Sequence, residues 1–396
     1  MKKTIKSMLL LGLCCTALVG FTACSDDNDD NGDEGAGDGA STKEVLFKAA
    51  ATPYVQNTVL PTYAGMADAA VELAKQCETI QEKFADGTLS EADVKKAGDI
   101  WKESRRFWEL SEAFLFGPAA NHNIDPHIDS WPLDKNAMDD LLADIRAGKK
   151  WDIANHGGYG LLGFHSIEYV LFELSADGTQ SFPHNPATYT PEVLEYLVAV
   201  ANDLRDQCVL LEACWAGTEN ISDEKQNILA EAELEFNDNY GWMMENAGQA
   251  GSIYKTYQEV AEEIIQGCVD IATEVGNTKI GRPNQASSEE DRNYIESPYA
   301  LNSIEDFKDN IRSIKNSYLG SNEGDASISD YIGIVNQQLD QEVKNAIEHA
   351  IAVINEIPEP FAKTAKSEQA DIAREYVGTT LVEVLERVMT ELSRQD

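Results

Sequence analysis

Apolar residues recur along most of the chain at intervals of three and four, the spacing that lines one face of an α-helix. Runs that alternate between apolar and polar residues, as in strands, are hard to find. The pattern predicts the end of a first helix at residues 71–84, a second helix over 91–117 that stops at Gly117 and Pro118, and a further helix over 190–217. The last has a threonine cap, a proline at its first helical position and a closing glycine. The pattern therefore predicts an all-α protein.

The second half of this pattern echoes the first. One long amphipathic stretch ends at Gly117 with FWELSEAFLFG, and another ends at Gly320 with IRSIKNSYLG. Each is followed by a loop and by further helical segments, an organisation typical of helix bundles. We therefore predict two four-helix-bundle-like halves related by internal duplication, covering residues 44–220 and 221–396.

The N-terminal segment differs in composition from the rest of the chain. Three lysines precede the short apolar stretch MLLLGLCCTALVGF, which is typical of a signal peptide over residues 1–23. The sequence FTAC then resembles a lipobox, which implies cleavage before Cys24 and lipidation of that residue. An ordinary cleaved signal peptide is the alternative. Residues 24–43 are mostly acidic and small, which predicts a disordered tether. We expect a lipid-anchored cell-envelope protein on the outer membrane, periplasmic or surface-exposed.

The net charge and the spacing of the cysteines argue against some classes of function. The formal net charge is −38, which argues against nucleic-acid binding because the phosphate backbone attracts cationic proteins. The same charge is compatible with attracting cations. Wide spacing of the remaining cysteines argues against a zinc ribbon or a redox CxxC motif and favours buried free thiols. These cysteines are Cys77, Cys208, Cys214 and Cys268.

A histidine and a glutamate stand one helical turn apart in the apolar segment GYGLLGFHSIEYVLFEL, residues 158–174. His165 and Glu168 share a predicted helix face with Leu161 and Phe172, so both polar groups point into apolar surroundings. Burying a carboxylate without a partner costs several kcal/mol, roughly. A metal ion, an arginine or a hydrogen-bond network must therefore satisfy Glu168, and a purely structural pair is the alternative to a binding site.

Several glycines surround this motif. A glycine inside a helix costs about 1 kcal/mol relative to alanine. Gly163 therefore indicates the close approach of another backbone or of a ligand, and it favours a binding role for this segment.

The predicted second helix carries charged residues between two tryptophans. Trp101, Arg105, Trp108 and Glu112 follow one another at helical spacing, and Glu109 lies four residues after the arginine. One interpretation is an ion pair on a solvated surface. In the other, these charges face inward toward the histidine motif, and carboxylates joined by one imidazole suit iron, zinc or manganese. The candidate binding residues here are Arg105, Glu109 and Glu112.

The loop NHNIDPHIDSWPLD, residues 121–134, is rich in residue types that bind metals. It is equally rich in residues that form turns, so we interpret it as a structural loop. Its residues of the metal-binding types are His122, Asp125, His127, Asp129 and Asp134.

These motifs together resemble those of the imelysin-like family. GFHSIE fits the family's GxHxxE signature, WKESRRFWELSEAFLFGP resembles the helix with its tryptophans and arginine, and IDSWPLD resembles the following loop. Residues 296–320 are similar to the family's second-half segment, although Ala300 stands where the family more often has serine. The resemblance spans most of residues 44–396. It implies two helical bundles related by duplication, export, frequent lipid anchoring and a link to iron uptake.

The resemblance also implies roles for individual residues. It puts the family's motif on Gly163, His165 and Glu168, of which the histidine and the glutamate are the expected metal ligands. The expected counterparts on the preceding helix are Arg105, Glu109 and Glu112.

We therefore expect a protein that binds a metal ion, iron or another divalent metal such as zinc, or a small ligand. Its expected partners are other envelope proteins of iron uptake. A metal-dependent peptidase is the first alternative, because the family's name comes from a reported peptidase activity. It is disfavoured because the HExxH motif is absent and one HxxE pair is short of three protein ligands. Without a GxSxG or catalytic cysteine signature, no catalytic residue is predicted. A small organic or haem-like ligand is the second alternative.

Overall fold

Helices account for most of the residues that the computed structural model describes, which are 42–153, 158–235 and 238–394. The prediction of an all-α protein is confirmed. Within these residues the strands form one short antiparallel pair, β1 (Phe172–Leu174) and β2 (Ser181–Pro183). The predicted signal peptide and the lipidation site Cys24 lie outside the described residues, as does nearly all of the acidic tether.

The helices follow the chain in two runs. The first run is α1 (Thr42–Pro53), α2 (Leu60–Ala85), α3 (Glu91–Glu109), α4 (Pro118–Asn121), α5 (Asp125–Ile128), α6 (Lys135–Arg146), α7 (Gly163–Leu171) and α8 (Pro191–Ala216). The second run is α9 (Asp223–Glu231), α10 (Tyr240–Glu245), α11 (Tyr257–Glu274), α12 (Gly281–Asn284), α13 (Glu289–Arg292), α14 (Ser303–Leu319), α15 (Ile328–Val335), α16 (Gln337–Asn355), α17 (Phe361–Thr364), α18 (Glu368–Glu375) and α19 (Val382–Leu392). Three π-helical turns interrupt the helices, at Tyr54–Val59, Val275–Lys279 and Tyr376–Leu381.

The long helices pack in two groups of four. In the first group α2 packs on α3 and α8, and α7 packs on the same two helices. In the second group α11 packs on α14 and α19, and α16 packs on the same two. Helix α3 also contacts α14, so the groups share one continuous core, and the described residues belong to one compact unit. The internal duplication and the boundary between residues 220 and 221 stay predictions.

Helix α8 agrees with its sequence signals at both ends. Thr190 is extended at the N-cap, Pro191 is the first helical residue, and Gly217 ends the helix with a φ of +87°. This conformation is open to glycine at little cost. The helix buries apolar side chains along most of its length, which is why α2 and α7 both pack on it.

The second predicted helix ends earlier than expected. It was expected to reach Gly117, but α3 ends at Glu109 and Glu112 lies in a separate 3-10 turn. Ser111 donates both its main-chain N–H and its hydroxyl to the carbonyl oxygen of Trp108. In a continued α-helix that carbonyl would accept from residue 112. Glu112 is therefore not on the helix that carries Arg105.

The motif helix is also shorter than the predicted stripe. Helix α7 holds His165 and Glu168 one turn apart, but Leu161 lies in a preceding 3-10 turn and Phe172 begins β1. Phe172 has φ −119° and ψ 145°, so the chain leaves the helix there and pairs with β2. The expected stripe thus extends beyond the helix, although all four side chains are buried.

Two further expectations concern cysteines and the membrane. The four cysteines of the described residues are buried and free, in agreement with the sequence. None of the helices that the structure describes is both long enough and apolar enough to cross a membrane.

Candidate functional site

Helix α7 begins at a glycine that the backbone requires. Gly163 has a φ of +72°, a conformation that costs other residues about 1–3 kcal/mol. A Cβ built on Gly163 would lie 2.1 Å from the carbonyl oxygen of Ile128, so the end of α5 packs directly on the start of α7. The close approach expected at this glycine is made by backbone, and it brings Asp129 beside His165.

Both carboxylate oxygens of Glu168 have hydrogen-bond partners. Glu168 is fully buried, and its Oε1 accepts the main-chain N–H groups of Tyr299 at 2.8 Å and Ala300 at 2.7 Å. Its Oε2 lies 3.1 Å from Nδ1 of His165. These contacts satisfy the buried carboxylate from within the protein, so Glu168 fixes the orientation of the imidazole. The prediction that Glu168 is itself a metal ligand stays a prediction.

His165 lies between two carboxylates. Its Nε2 is 3.0 Å from Oδ1 of Asp129, but the geometry is not that of a hydrogen bond, and this buried nitrogen has no hydrogen-bond partner in the described part of the chain. Burial alone would lower the pKa of His165. The contacts with Asp129 and Glu168 outweigh burial and raise the pKa to about 9. The two carboxylates therefore favour the protonated imidazole, and a metal ion that binds Nε2 must displace its proton.

Arg105 is the centre of a buried charge network. Its side chain is fully buried and pairs with Asp129 at 2.5 Å, with Glu296 at 2.6 Å and with Glu109, while Asp306 lies 3.9 Å from Nε. Burial would raise the pKa of Asp129, but Arg105 opposes it and holds that pKa well below its usual range. Arg105 thus faces inward, the second of the two interpretations of its sequence pattern.

A second buried cation comes from the other half of the chain. Lys279, in a π-helical turn, is 1 % exposed. Its ammonium group lies 2.9 Å from Glu296, 3.1 Å from Glu112 and 3.4 Å from Glu109. The sequence pattern did not identify Lys279, because the segment GNTKIG carries no motif and the glutamates at 109 and 112 lie far away along the chain.

Carboxyl groups outnumber cationic side chains in this network. Three cationic side chains, Arg105, Lys279 and His165, face a larger set of carboxylates. Burial, the dominant influence, raises the pKa of Glu112 and Asp306 well above the usual range and that of Glu296 to about 7. The carboxylates are Glu109, Glu112, Asp129, Glu168, Glu296 and Asp306. The surplus favours uptake of protons or of a metal cation.

Three of these side chains form a candidate metal-ligand set. Asp129, His165 and Glu296 each offer one ligand atom, and the three atoms lie within 4.8 Å of one another. Nε2 of His165 and Oε2 of Glu296 are buried and lack hydrogen-bond partners among the described residues. One imidazole with two carboxylates is a donor set that suits iron or zinc. The residues present therefore fit a metal ion.

The sequence identified part of this site. Gly163, His165, Glu168, Arg105, Glu109 and Glu112 all lie in or beside the network. We interpreted residues 121–134 as a structural loop, and within it Arg105 and the indole N–H of Trp108 hold Asp129 against His165. Whether Asp129 also binds a metal stays a prediction. At Asp134 the interpretation agrees with the structure, since this residue caps α6.

A cleft of about 810 Å³ borders the site. His165 and Glu168 line its inner wall, and Trp131 lies beside His165 with a ring-centroid distance of 6.1 Å. Charged side chains of both signs also line the cleft: Asp134, Lys135, Glu290 and Arg292. The cleft gives access to the histidine side of the network, whereas Arg105 and Glu109 are fully buried behind it.

Comparisons with known proteins agree with the family resemblance seen in the sequence. The family model described as Imelysin (Peptidase_M75) matches residues 59–388. Iron-regulated protein A of Synechococcus elongatus is 27 % identical over 339 residues, covering 84 % of this chain and 82 % of that protein.

Two solved structures also match the fold. One, described as an iron-regulated protein A precursor from Parabacteroides distasonis, is 28 % identical with a TM-score of 0.73, covering 90 % of this chain and 97 % of that one. An imelysin-like protein from Psychrobacter arcticum is 14 % identical with a TM-score of 0.56, covering 86 % and 93 %, and is evidence for the fold alone.

Proposed function

The chain belongs to the imelysin family, and from this premise we propose that it binds a metal ion, with iron as the first candidate, through Asp129, His165 and Glu296. Its relative in Synechococcus elongatus is named for iron regulation, which supports iron over other metals. Zinc is the second candidate, since the donor set suits both. The proposed role is in iron uptake at the cell envelope, together with other envelope proteins of that process.

One observation carries this proposal: two residues of one candidate ligand set each have a buried polar atom without a hydrogen-bond partner among the described residues. His165 is 3 % exposed and Glu296 is 1 % exposed, so bulk water has little access to Nε2 or Oε2. Leaving such atoms unpaired costs about 1–3 kcal/mol each, and more where a charge is involved. A metal cation would satisfy both atoms and would favour the ionised form of the neighbouring carboxyl groups.

The surrounding residues have supporting roles in this proposal. Glu168 holds the imidazole through Nδ1, which leaves Nε2 for the metal. Arg105 holds Asp129 and Glu296 close to the histidine. Gly163 allows the backbone before Asp129 to approach α7.

The test is metal analysis and thermal unfolding of the purified protein, of His165→Ala and of His349→Ala. His349 is an exposed histidine of α16 and serves as the matched control. We expect ferrous or ferric ions to raise the melting temperature of the wild type and of His349→Ala but not of His165→Ala. The absence of any metal-dependent shift in the wild type, with a destabilised His165→Ala, would identify the network as purely structural.

We also propose that the protein is exported and anchored by lipid at Cys24. The proposal depends on the FTAC sequence and on the acidic, apolar-poor residues that follow. Cys24→Ala should release the protein from the membrane fraction and abolish labelling by a radioactive fatty acid. If the variant still fractionates with membranes, the proposed anchor is wrong.

A peptidase remains the first alternative, and the burial of the site argues against it. With Asp129 and Glu296 beside His165, the candidate set has three protein ligands, so the number of ligands no longer argues against a peptidase. However, their side chains are 4 % and 1 % exposed, and a polypeptide substrate would have to reach a metal bound among them. Incubation with unfolded casein and zinc should give no cleavage above background; cleavage that His165→Ala abolishes would support the enzyme.

The second alternative is a small organic or haem-like ligand, and the volume of the neighbouring cleft favours it. About 810 Å³ is room for a drug-sized molecule. Titration with haemin distinguishes this alternative, because binding of haem changes its visible absorption. A spectral change that Trp131→Ala removes and His349→Ala does not would support a ligand in the cleft.

A further inference from the structure

A second group of metal-binding side chains lies away from the network around Arg105. Cys214 is in the last turn of α8, His122 follows α4 directly, and Asp238 precedes α10. Each offers one ligand atom, and these atoms lie within 4.8 Å of one another. Nε2 of His122 and a carboxylate oxygen of Asp238 are in direct contact. We propose that Cys214, His122 and Asp238 form a separate binding site for zinc.

The donor set fits zinc better than it fits the hard cations. Zinc takes thiolate, imidazole and carboxylate ligands, and a site with three protein ligands keeps its fourth position for water. Magnesium and calcium prefer oxygen ligands alone and would not select a thiol. The three side chains therefore suit a transition metal that binds thiolate. Zinc is such a metal, and it does not change its oxidation state.

The three groups differ in exposure in a way that allows a metal to enter. The side chains of His122 and Asp238 are 21 % and 32 % exposed, whereas Cys214 is only 1 % exposed. A metal ion can therefore meet the imidazole and carboxylate first and the thiol last. On binding, the sulfur–hydrogen bond of Cys214 breaks, its proton passes to solvent, and a sulfur–metal bond forms.

The site is independent of the one proposed around His165. The hydroxyl of Tyr196, near the start of α8, donates to the carbonyl oxygen of Leu161, just before α7. Cys214 lies 18 residues further along the same helix, which is about 27 Å at 1.5 Å per residue. A metal at Cys214 thus has no ligand in common with the motif helix, and each site can be tested while the other is intact.

A metal here would join three parts of the chain that are distant in sequence. Helix α8 already packs on α4 and α10, so the metal would fasten both short helices to the end of the long one. Asn239, next to Asp238, caps α10 by accepting the main-chain N–H of Trp242. The chain at Asp238 is thereby held in a fixed relation to α10, which favours a preformed site.

The test uses cobalt as a spectroscopic probe for zinc. Cobalt bound to a thiolate gives an intense near-ultraviolet charge-transfer band that cobalt bound to oxygen or nitrogen alone does not give. We expect the band in the reduced full-length protein and its disappearance on addition of zinc. It should be absent from Cys214→Ser and present in Cys208→Ser, the matched control one and two-thirds turns earlier on the same helix, and in His165→Ala.

A second variant keeps the proposal testable if Cys214→Ser folds poorly. His122→Ala changes a partly exposed side chain, and we expect it to weaken cobalt binding by about tenfold or more while far-ultraviolet circular dichroism is unchanged. No charge-transfer band in the wild type would overturn the proposal. A band that survives in Cys214→Ser, or that falls equally in Cys208→Ser, would overturn it as well.

Discussion

The main-chain N–H of Ala300 donates to Oε1 of Glu168 at 2.7 Å, across 132 positions of sequence. Tyr299 adds a second N–H to the same oxygen. The carboxylate of the motif helix is thus held by the backbone of the other half of the chain. This contact needs an N–H group at position 300 and no particular side chain, which explains how alanine can stand where the family more often has serine.

Ala300→Ser should leave the proposed metal site intact. The N–H is retained, so we expect the metal dissociation constant to change by less than about twofold, far below the 10–100-fold effect of losing a contact that orients a ligand. Because Ala300 is 2 % exposed, an unpaired hydroxyl there should lower the free energy of unfolding by about 1–3 kcal/mol. Ala300→Pro removes the N–H and should weaken metal binding at least tenfold. Equal affinities of the two variants by isothermal titration calorimetry would contradict this role of the backbone.

Gly163→Ala should destabilise the protein strongly. Besides the positive φ, the new Cβ would overlap the carbonyl group of Ile128, so the backbone before Asp129 must move away from α7. We expect a loss of more than about 3 kcal/mol in the free energy of unfolding, measured with urea, since strain and overpacking add. Gly158→Ala is the matched control, because Gly158 has a φ of +83° and no atom of the described residues lies within 4 Å of its Cβ position. If both variants lose the same amount, the approach of Ile128 is not tight.

The spacing of residues in the sequence predicted the all-α fold and some of the residues of the site. Helical periodicity and an HxxE spacing are local signals, so α7 and the pair His165 and Glu168 could be predicted from neighbouring residues. Glu112 shows where such signals stop being sufficient. Its position one turn after Trp108 suggested a continued helix, but a hydrogen bond from Ser111 ended the helix first. Its carboxyl group nevertheless reached the network through the turn that followed.

The rest of the site depends on contacts across the fold. Lys279 lies in a segment with no recognisable motif. Glu296 begins the segment that resembles the family's second half, but its spacing does not mark it as a site residue. The packing of α14 against α3 accompanies the approach of both residues to Arg105. Asp129 was named among the ligand types of its loop, yet spacing could not separate it from neighbours that form turns. Asp129 differs from these neighbours because it accepts hydrogen bonds from side chains 21 and 24 residues earlier. No local sequence pattern predicts these contacts.

Arg105→Met should be among the most destabilising substitutions in the chain. The arginine is fully buried and pairs with several carboxylates, and removing one partner of a buried ion pair costs about 3–5 kcal/mol. Arg106→Met is the matched control, because its side chain is 60 % exposed and only 4.0 Å from Asp309; we expect a change below about 1 kcal/mol. Similar urea midpoints for the two variants would mean that the network is held mainly by protonated carboxyl groups.

Asp93→Asn should destabilise the protein in a pH-dependent manner. Hydrogen bonds from Lys83 and from Ser90 at the N-cap of α3 lower the pKa of Asp93 to about 2. Because the folded pKa is below the unfolded value of about 3.9, the stabilisation is complete above pH 5 and is lost as pH falls toward 2. We expect the variant to lose about 1 kcal/mol at pH 7 and the difference from wild type to shrink between pH 4 and 2. A difference that is constant over this range would contradict an ionised cap.

Glu168→Gln tests how the motif prepares its histidine for a metal. Two N–H donors, from Tyr299 and Ala300, face one oxygen of the side chain, so the glutamine must turn its carbonyl oxygen toward them. Its NH₂ group then faces Nδ1 of His165 and donates to it. The imidazole must accept at Nδ1 and carry its proton on Nε2, the nitrogen that the proposed metal needs.

The expected result is a variant that folds but binds metal poorly. The number of hydrogen bonds is preserved, while the wrong tautomer of His165 and the loss of charge should weaken metal binding about 10- to 100-fold. Glu173→Gln is the matched control, because Glu173 is an exposed glutamate five residues further on, and it should bind as the wild type does. Titration with ferrous ions measures the affinities, and thermal unfolding without metal measures the fold. A lower melting temperature in the absence of metal, with unchanged affinity, would mean that Glu168 serves only stability, because the tautomer of His165 would then have no consequence for binding.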